Sequence, residues 1–308
     1  MKRLAPLLCL LGCAGMGTVP PADPVTTQAS PEQISRGRYL TRHVTGCIGC
    51  HSPRRWDVYS APARRGAEGA GGENIAALVG LGGFVPASNI TPAAIGHWSN
   101  GEVARAITSG VGRDGNRLVP FMPYRAYSYL TASDVGAIVA YLRTLEPITH
   151  DVPRRKLNPI LRLFTWSQPR SSRSGNVEGT DSVSRGRYLA RIAGCHGCHT
   201  STRFGSPRRR FELAGGVRFR MPEGFGTVVS TNITPDRSSG IGNIGREEFI
   251  GRFKSFAHDP EAFAGATGRT NTVMPWIEYA GMTTEDLGAI YDYLRTVPAV
   301  TNRVVTYP

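Results

Sequence analysis

Two stretches of this 308-residue chain carry apolar residues at helical spacing. Val135, Ile138, Val139 and Leu142 form one set, and Leu287, Ile290, Tyr291 and Leu294 the other, each at i, i+3, i+4 and i+7. Both stretches open with Thr-x-x-Asp, Thr131 to Asp134 and Thr283 to Asp286, a capping-box-like start with Asp where Glu is usual. The pattern predicts two amphipathic helices, each with one buried face. Further helices are expected over residues 31–43 and 184–192, in a short segment after Ser99, and over residues 246–256. The glycine-rich stretch 67–83 lacks the strand-loop-helix frame of a nucleotide fingerprint and reads as a loop. A mainly α protein follows. No run approaches the roughly 20 apolar residues of a membrane span, which excludes a polytopic membrane protein.

The chain also repeats itself. Ser35-Arg36-Gly37-Arg38-Tyr39-Leu40 recurs as Ser184-Arg185-Gly186-Arg187-Tyr188-Leu189, and Asn89-Ile90-Thr91-Pro92 as Asn232-Ile233-Thr234-Pro235. From Met122-Pro123 to Tyr141-Leu142-Arg143-Thr144 the match with Met274-Pro275 to Tyr293-Leu294-Arg295-Thr296 holds at a constant offset of 152. Self-similarity of this kind marks a duplicated unit. Two tandem domains are expected, residues 31–150 and 184–308. Residues 151–183, rich in proline and serine, read as the linker. The linker's apolar patch, Leu157, Ile160, Leu161, Leu163, Phe164 and Trp166, is expected to pack across a domain.

Composition and charge narrow the partners. At 40% apolar and 19% charged residues the chain can bury cores and is not a disordered polymer. Its net charge of +13 is spread over both units, with no basic stripe interleaved with aromatics, so nucleic acid is not an expected partner. Steering of an acidic protein face is the better use of the charge. At the N-terminus, Met1-Lys2-Arg3 followed by an apolar run to Leu11 reads as an export signal over residues 1–12. Leu10-Leu11-Gly12-Cys13 resembles a bacterial lipobox, so Cys13 is expected to carry a lipid anchor, with residues 13–30 as a flexible tether. An ordinary signal cut further on would discard Cys9 and Cys13 instead. Either way the expected location is extracytoplasmic, in the periplasm.

The other four cysteines carry the chemistry. They fall in two Cys-x-x-Cys pairs, each followed at once by histidine: Cys47-Ile48-Gly49-Cys50-His51 and Cys195-His196-Gly197-Cys198-His199. C-x-x-C-H is the haem c attachment signature, in which two thiols add to the porphyrin vinyl groups and the adjacent imidazole becomes the proximal iron ligand. Structural zinc motifs usually keep their pairs within tens of residues, not about 150 apart, and zinc gives no reason for both histidines. A thioredoxin-like pair needs a βαβ context that neither motif has. Disulfides are conceivable outside the cytoplasm but do not explain the duplication.

A haem held by one histidine has an open side, and a thioether is a soft ligand that raises its potential. Met122 and Met274 lie 75 and 79 residues after the first cysteine of their motifs, each followed by proline. They are the candidate distal ligands, since both copies keep Met-Pro. Met282, opposite Leu130 in the alignment of the copies, reads as core. His43, His97, His150 and His258 have no histidine counterparts and read as surface or hydrogen-bonding residues, His258 being the one that bis-histidine ligation would need. His196 reads as a spacer at an exposed haem edge.

These motifs resemble those of the dihaem c-type cytochromes, in particular the cytochrome subunits of membrane-bound alcohol and gluconate dehydrogenases. The carrying residues are the two C-x-x-C-H motifs, Asn-Ile-Thr-Pro with Asp236 in the second copy, Gly112-Arg113-Asp114-Gly115, and Met-Pro before Tyr-Leu-Arg. The resemblance implies two class I cytochrome c-like domains in which first and last helices cross beside a haem. It also implies two covalent haem c groups on Cys47, Cys50, Cys195 and Cys198, with His51 and Met122, and His199 and Met274, as axial ligands. The implied role is electron transfer from a periplasmic dehydrogenase to a downstream cytochrome or oxidase, with no catalysis of its own. Two features depart from the pattern: those subunits commonly have three haem motifs, and the first copy reads Pro92-Ala93. The alternative is a dihaem enzyme of the peroxidase or thiosulfate dehydrogenase type, which needs one iron with an exchangeable or unusual axial ligand.

Overall fold

The computed structural model describes residues 24–80, 83–167, 175, 179–203, 206–222, 224–258 and 271–307. The expected export signal and Cys13 lie outside the described residues. The helices, in chain order, are α1 (Pro31–Tyr39), α2 (Cys47–Cys50), α3 (Ile75–Leu78), α4 (Pro92–Ile95), α5 (Asn100–Ser109), α6 (Tyr124–Tyr127), α7 (Ala132–Leu142), α8 (Pro159–Ser167), α9 (Ser182–Ile192), α10 (Cys195–His199), α11 (Arg246–Lys254), α12 (Trp276–Ala280) and α13 (Thr284–Leu294). Among the described residues three short antiparallel pairs accompany them: β1 (Gly83–Phe84) with β2 (Lys156–Leu157), β3 (Thr202–Arg203) with β4 (Ser206–Pro207), and β5 (Arg218–Arg220) with β6 (Thr227–Val229). Among the described residues no helix is long and apolar enough to cross a membrane.

The first and last helices of each half pack on one another, α1 on α7 and α9 on α13. The crossing is close because glycine sits at it. A Cβ on Gly37 would fall 1.9 Å from the carbonyl oxygen of Ala137, and one on Gly186 1.8 Å from that of Ala289. The Ser-Arg-Gly-Arg-Tyr-Leu repeat is thus a packing motif, with its glycine where two backbones meet.

The entry into the cysteine motifs differs between the halves by one residue. Ser35 stands 12 positions before Cys47, whereas Ser184 stands 11 before Cys195. The extra residue of the first half is absorbed by a π turn over Leu40–Val44, closed by Thr45 N–H to the Leu40 carbonyl at 2.8 Å. The helix expected over 31–43 is therefore α-helical only to Tyr39. Its counterpart α9 runs regularly to Ile192.

Helices α7 and α13 start where the Thr-x-x-Asp pattern predicts, with Thr131 and Thr283 accepting from the Asp134 and Asp286 amides. The capping box is only half formed. Asp134 and Asp286 turn away to pair with Arg36 and Arg185, and the cap amides of Thr131 and Thr283 donate to Tyr188 and Tyr39 of the opposite half. A complete box, with glutamate, occurs at Ser99 and Glu102 of α5. The single buried face expected for α7 is also corrected. Every residue from Asp134 to Leu142 is buried, because α1 covers one side and α5 the other.

Two segments read as loop or linker contain structure. The glycine-rich stretch holds α3 and β1, and β1 pairs with β2 from the segment expected to be the linker, which also forms α8. Leu157 and Phe121 pack against the cluster of Ala76, Val85 and Val119. Within the apolar patch, Leu161 is buried while Leu163 is 65% exposed. The main core is one continuous cluster to which both halves contribute, from Leu40, Ile138 and Leu142 to Leu189, Met282 and Leu294.

Candidate functional site

Each cysteine motif begins after a glycine in the left-handed region, Gly46 at φ 66° and Gly194 at φ 78°. This turn lets the long helix stop and a new one start within one residue. The carbonyl just before each turn is tied down by a tyrosine: Tyr127 donates to Thr45 O and Tyr279 to Ala193 O, both at 2.5 Å. These tyrosines belong to α6 and α12, which begin two residues after Met122 and Met274. Each methionine loop is thereby tethered to the motif of its own half. Both methionines are partly buried against the main core.

The motif histidines are held alike. His51 Nδ1 lies 2.7 Å from the Ser88 carbonyl, and His199 Nδ1 lies 2.8 Å from that of Thr231. A carbonyl can only accept, so Nδ1 carries the proton in both rings and Nε2 keeps its lone pair. Burial lowers the pKa of both imidazoles, opposed in part by these bonds, and keeps them neutral. Ser88 and Thr231 immediately precede the two Asn-Ile-Thr-Pro segments, which explains that repeat. Asn89 and Asn232 accept from the Thr91 and Thr234 amides and hydroxyls, and donate to the Ile148 and Val300 carbonyls beyond the last helices. Behind them Gly71 and Gly215 donate to the His51 and His199 carbonyls, both at 2.7 Å. The arginines of the Tyr-Leu-Arg repeats close the same loops, Arg143 on Ile95 O and Trp98 O, and Arg295 on Gly242 O.

None of the four motif cysteines is paired in a disulfide. Burial pushes Cys47 up to about 11 and Cys195 to about 12, the reverse of the lowered pKa a redox-active Cys-x-x-Cys pair requires. Among the described residues no group of three or more His, Cys, Asp or Glu side chains is arranged to hold a metal ion. Cys198 nevertheless lies within electrostatic reach of Cys50, so the two motifs come together in space.

No protein-family model matches the chain. Similar proteins are known. A diheme cytochrome c-type protein of Cereibacter sphaeroides is 30% identical over 313 residues, covering 96% of both chains. The chain belongs to the dihaem c-type cytochromes. The cytochrome is also 30% identical, over 295 residues and 91% of its length, to the fructose dehydrogenase cytochrome subunit of Gluconobacter japonicus. It is 28% identical over 290 residues to the cytochrome c subunit of the quinone-type alcohol dehydrogenase of Komagataeibacter europaeus. It spans 55% and 58% of those two subunits, little more than half their length.

The donor set of the cytochrome fits haem c. Free paired thiols, an imidazole presenting Nε2 and a thioether on a tethered loop are the groups this cofactor takes. Of the other histidines, His43 Nδ1 bonds to the Glu278 carbonyl and His150 Nδ1 to the Ala70 carbonyl, which bears out their hydrogen-bonding roles. His196 pairs with Glu212 at 2.9 Å and meets Tyr293 Oη at 3.2 Å. Met282 is buried core. Sequence reasoning missed Tyr127, Tyr279, Ser88 and Thr231. The tyrosine pair was findable, because it keeps the offset of 152 that links Met122 to Met274. The carbonyls carry no side-chain signal.

Proposed function

We propose that this cytochrome is a periplasmic dihaem electron carrier that takes electrons from a dehydrogenase and passes them to a downstream cytochrome or oxidase. Cys47 and Cys50, and Cys195 and Cys198, hold one haem c each by thioether bonds. His51 and Met122 ligate the first iron, and His199 and Met274 the second. A lipid on Cys13 anchors the chain to the membrane through the tether. The observation that carries the reading is the pair of imidazoles, each fixed through Nδ1 to the carbonyl before an Asn-Ile-Thr-Pro turn.

The bound haems supply a one-electron iron couple each. The chain's own residues set its conditions. The Ser88 and Thr231 carbonyls orient the imidazoles and raise their basicity as ligands. Tyr127 and Tyr279 hold the methionine loops against the motifs, and the shared core fixes one half against the other so that little rearranges when the charge on an iron changes. Exposed Arg208, Arg209 and Arg210 lie beside Glu212, the partner of His196 in the second motif, and give an acidic redox partner a basic landing place next to that haem.

The test is intact mass with low-temperature EPR and near-infrared magnetic circular dichroism on the protein as exported. The expected result is two covalent haems, both low-spin with His/Met signatures, one of which disappears in Met122→Ala and the other in Met274→Ala. A wild-type iron that is high-spin or bis-histidine overturns the carrier reading in favour of a catalytic haem.

A further inference from the structure

The Met274 loop is gripped by the other half of the molecule. After the first motif the chain turns through residues 54–62, closed by Arg55 N–H to the Pro62 carbonyl at 2.9 Å. At its tip the Ser60 hydroxyl donates to the Met274 carbonyl at 2.7 Å and accepts from the Trp276 amide at 2.9 Å. Pro275, between them, has no amide to offer. One hydroxyl therefore spans the Met-Pro turn. Asn271 completes the grip: its Oδ1 accepts from the Ser60 amide at 3.0 Å, and its Nδ2 donates to the Trp56 and Val58 carbonyls at 2.7 and 3.1 Å. Tyr59 stacks on Phe256, which stacks on Trp276.

The grip is held in a backbone conformation that side chains avoid. Ser60 and Ala61 have φ of 67° and 42° and are fully buried. Arg54 keeps them there by donating to the Ala61 and Ser60 carbonyls at 2.7 and 3.2 Å. Glycine would make the same turn without strain. A serine in its place is explained by its hydroxyl, whose two contacts are both on the Met274 loop. Among the described residues Met122 shows no counterpart of this contact.

We propose that Ser60 is a positioning residue for the second haem, fixing the Met274 loop so that its thioether stays on the iron. This rests on the His/Met reading above. A thioether is a weak ligand, and holding its loop in place removes the ordering cost that ligation would otherwise carry. The loop that follows His51 thereby governs the axial ligand of the other haem.

The experiment compares wild type, Ser60→Ala and Ser60→Gly as holoproteins. Alanine keeps the backbone strain and glycine relieves it, while both remove the hydroxyl. The readouts are the near-infrared thioether band of each ferric haem and imidazole binding at each, with the first haem as internal control. Expected is imidazole binding at the second haem about tenfold tighter in both variants, equivalent to about 1.4 kcal/mol, with a weakened thioether band there and no change at the first haem. Unchanged binding at the second haem, or an equal change at both, overturns the proposal and leaves the ligation reading intact. Absence of a thioether band from the second haem of the wild type overturns the ligation reading itself and this proposal with it.

Discussion

The hydroxyl of Tyr39 lies 2.5 Å from Oδ2 of Asp286, 247 positions further along the chain. The contact is reciprocated, for Tyr188 reaches Asp134 Oδ2 at 2.6 Å. Each aspartate is also paired to an arginine of its own half, Arg36 or Arg185, and each tyrosine receives the cap amide of the opposite final helix. Burial first, and the carboxylates next to them, push both phenols well above the usual tyrosine value, so they remain donors. Tyr39→Phe leaves Oδ2 of Asp286 and the Thr283 cap amide without this partner, whereas Tyr188→Phe orphans the Thr131 cap amide and leaves Asp134 Oδ2 with Arg36 alone. A loss of about 1–3 kcal/mol is expected for each, measured by guanidinium unfolding of the holoprotein. Arg36 lies within electrostatic reach of both aspartates, so the double variant should depart from additivity.

Gly37→Ala and Gly186→Ala should be among the most damaging small substitutions. The added methyl would sit under 2 Å from the Ala137 or Ala289 carbonyl, and the helices would have to separate. Overpacking of this kind costs about 1–3 kcal/mol or more. Gly251→Ala, in α11 and outside both cysteine motifs, meets nothing within 4 Å and has an ordinary helical backbone, so its thermal unfolding temperature should not fall below that of wild type.

Asp236 gives the second half an acid-sensitive anchor. Its carboxylate accepts from the amides and hydroxyls of Ser238 and Ser239 and from the Thr301 hydroxyl, and the hydroxyls of Ser239 and Ser238 lead in holding its pKa well below the usual carboxylate range. A folded-state pKa below the unfolded one gives stability that is present above the unfolded value and is lost as pH falls through the folded one. Asp236→Asn should therefore lower the unfolding temperature at pH 7, and the gap to wild type should close as pH falls below the ordinary aspartate value.

Glu278 should behave in the opposite sense. It is half-buried beside Gly49 of the first motif, its Oε2 is buried with no hydrogen-bond partner, and desolvation raises its pKa against the pull of Arg54. A raised folded-state value gives stability that is present below the unfolded pKa and lost as pH rises through the folded one. Glu278→Gln should match wild type in acid and exceed it at neutral pH, read as thermal unfolding across that range.

Much of the arrangement was legible along the chain. Both C-x-x-C-H motifs, both Met-Pro turns and the start of α7 and α13 follow from local chemistry that needs no partner. The helix over 31–43 was misjudged because the one-residue difference before Cys47 is resolved by a π turn, which only packing selects. The single buried face of α7 failed for a related reason: its exposed side exists only until α5 covers it.

Thiol spacing, the adjacent imidazole and the doubled Met-Pro turn are matters of covalent order, so the candidate chemistry can be read along the chain. Tertiary structure decided how the two copies depend on each other. Tyr39 answers to Asp286, Tyr188 to Asp134, and Ser60 to Met274, pairs separated by up to 247 positions. No periodicity reports such contacts, because hydrogen bonds between buried groups form wherever the packed core brings donor and acceptor together, and that core is shared by both halves.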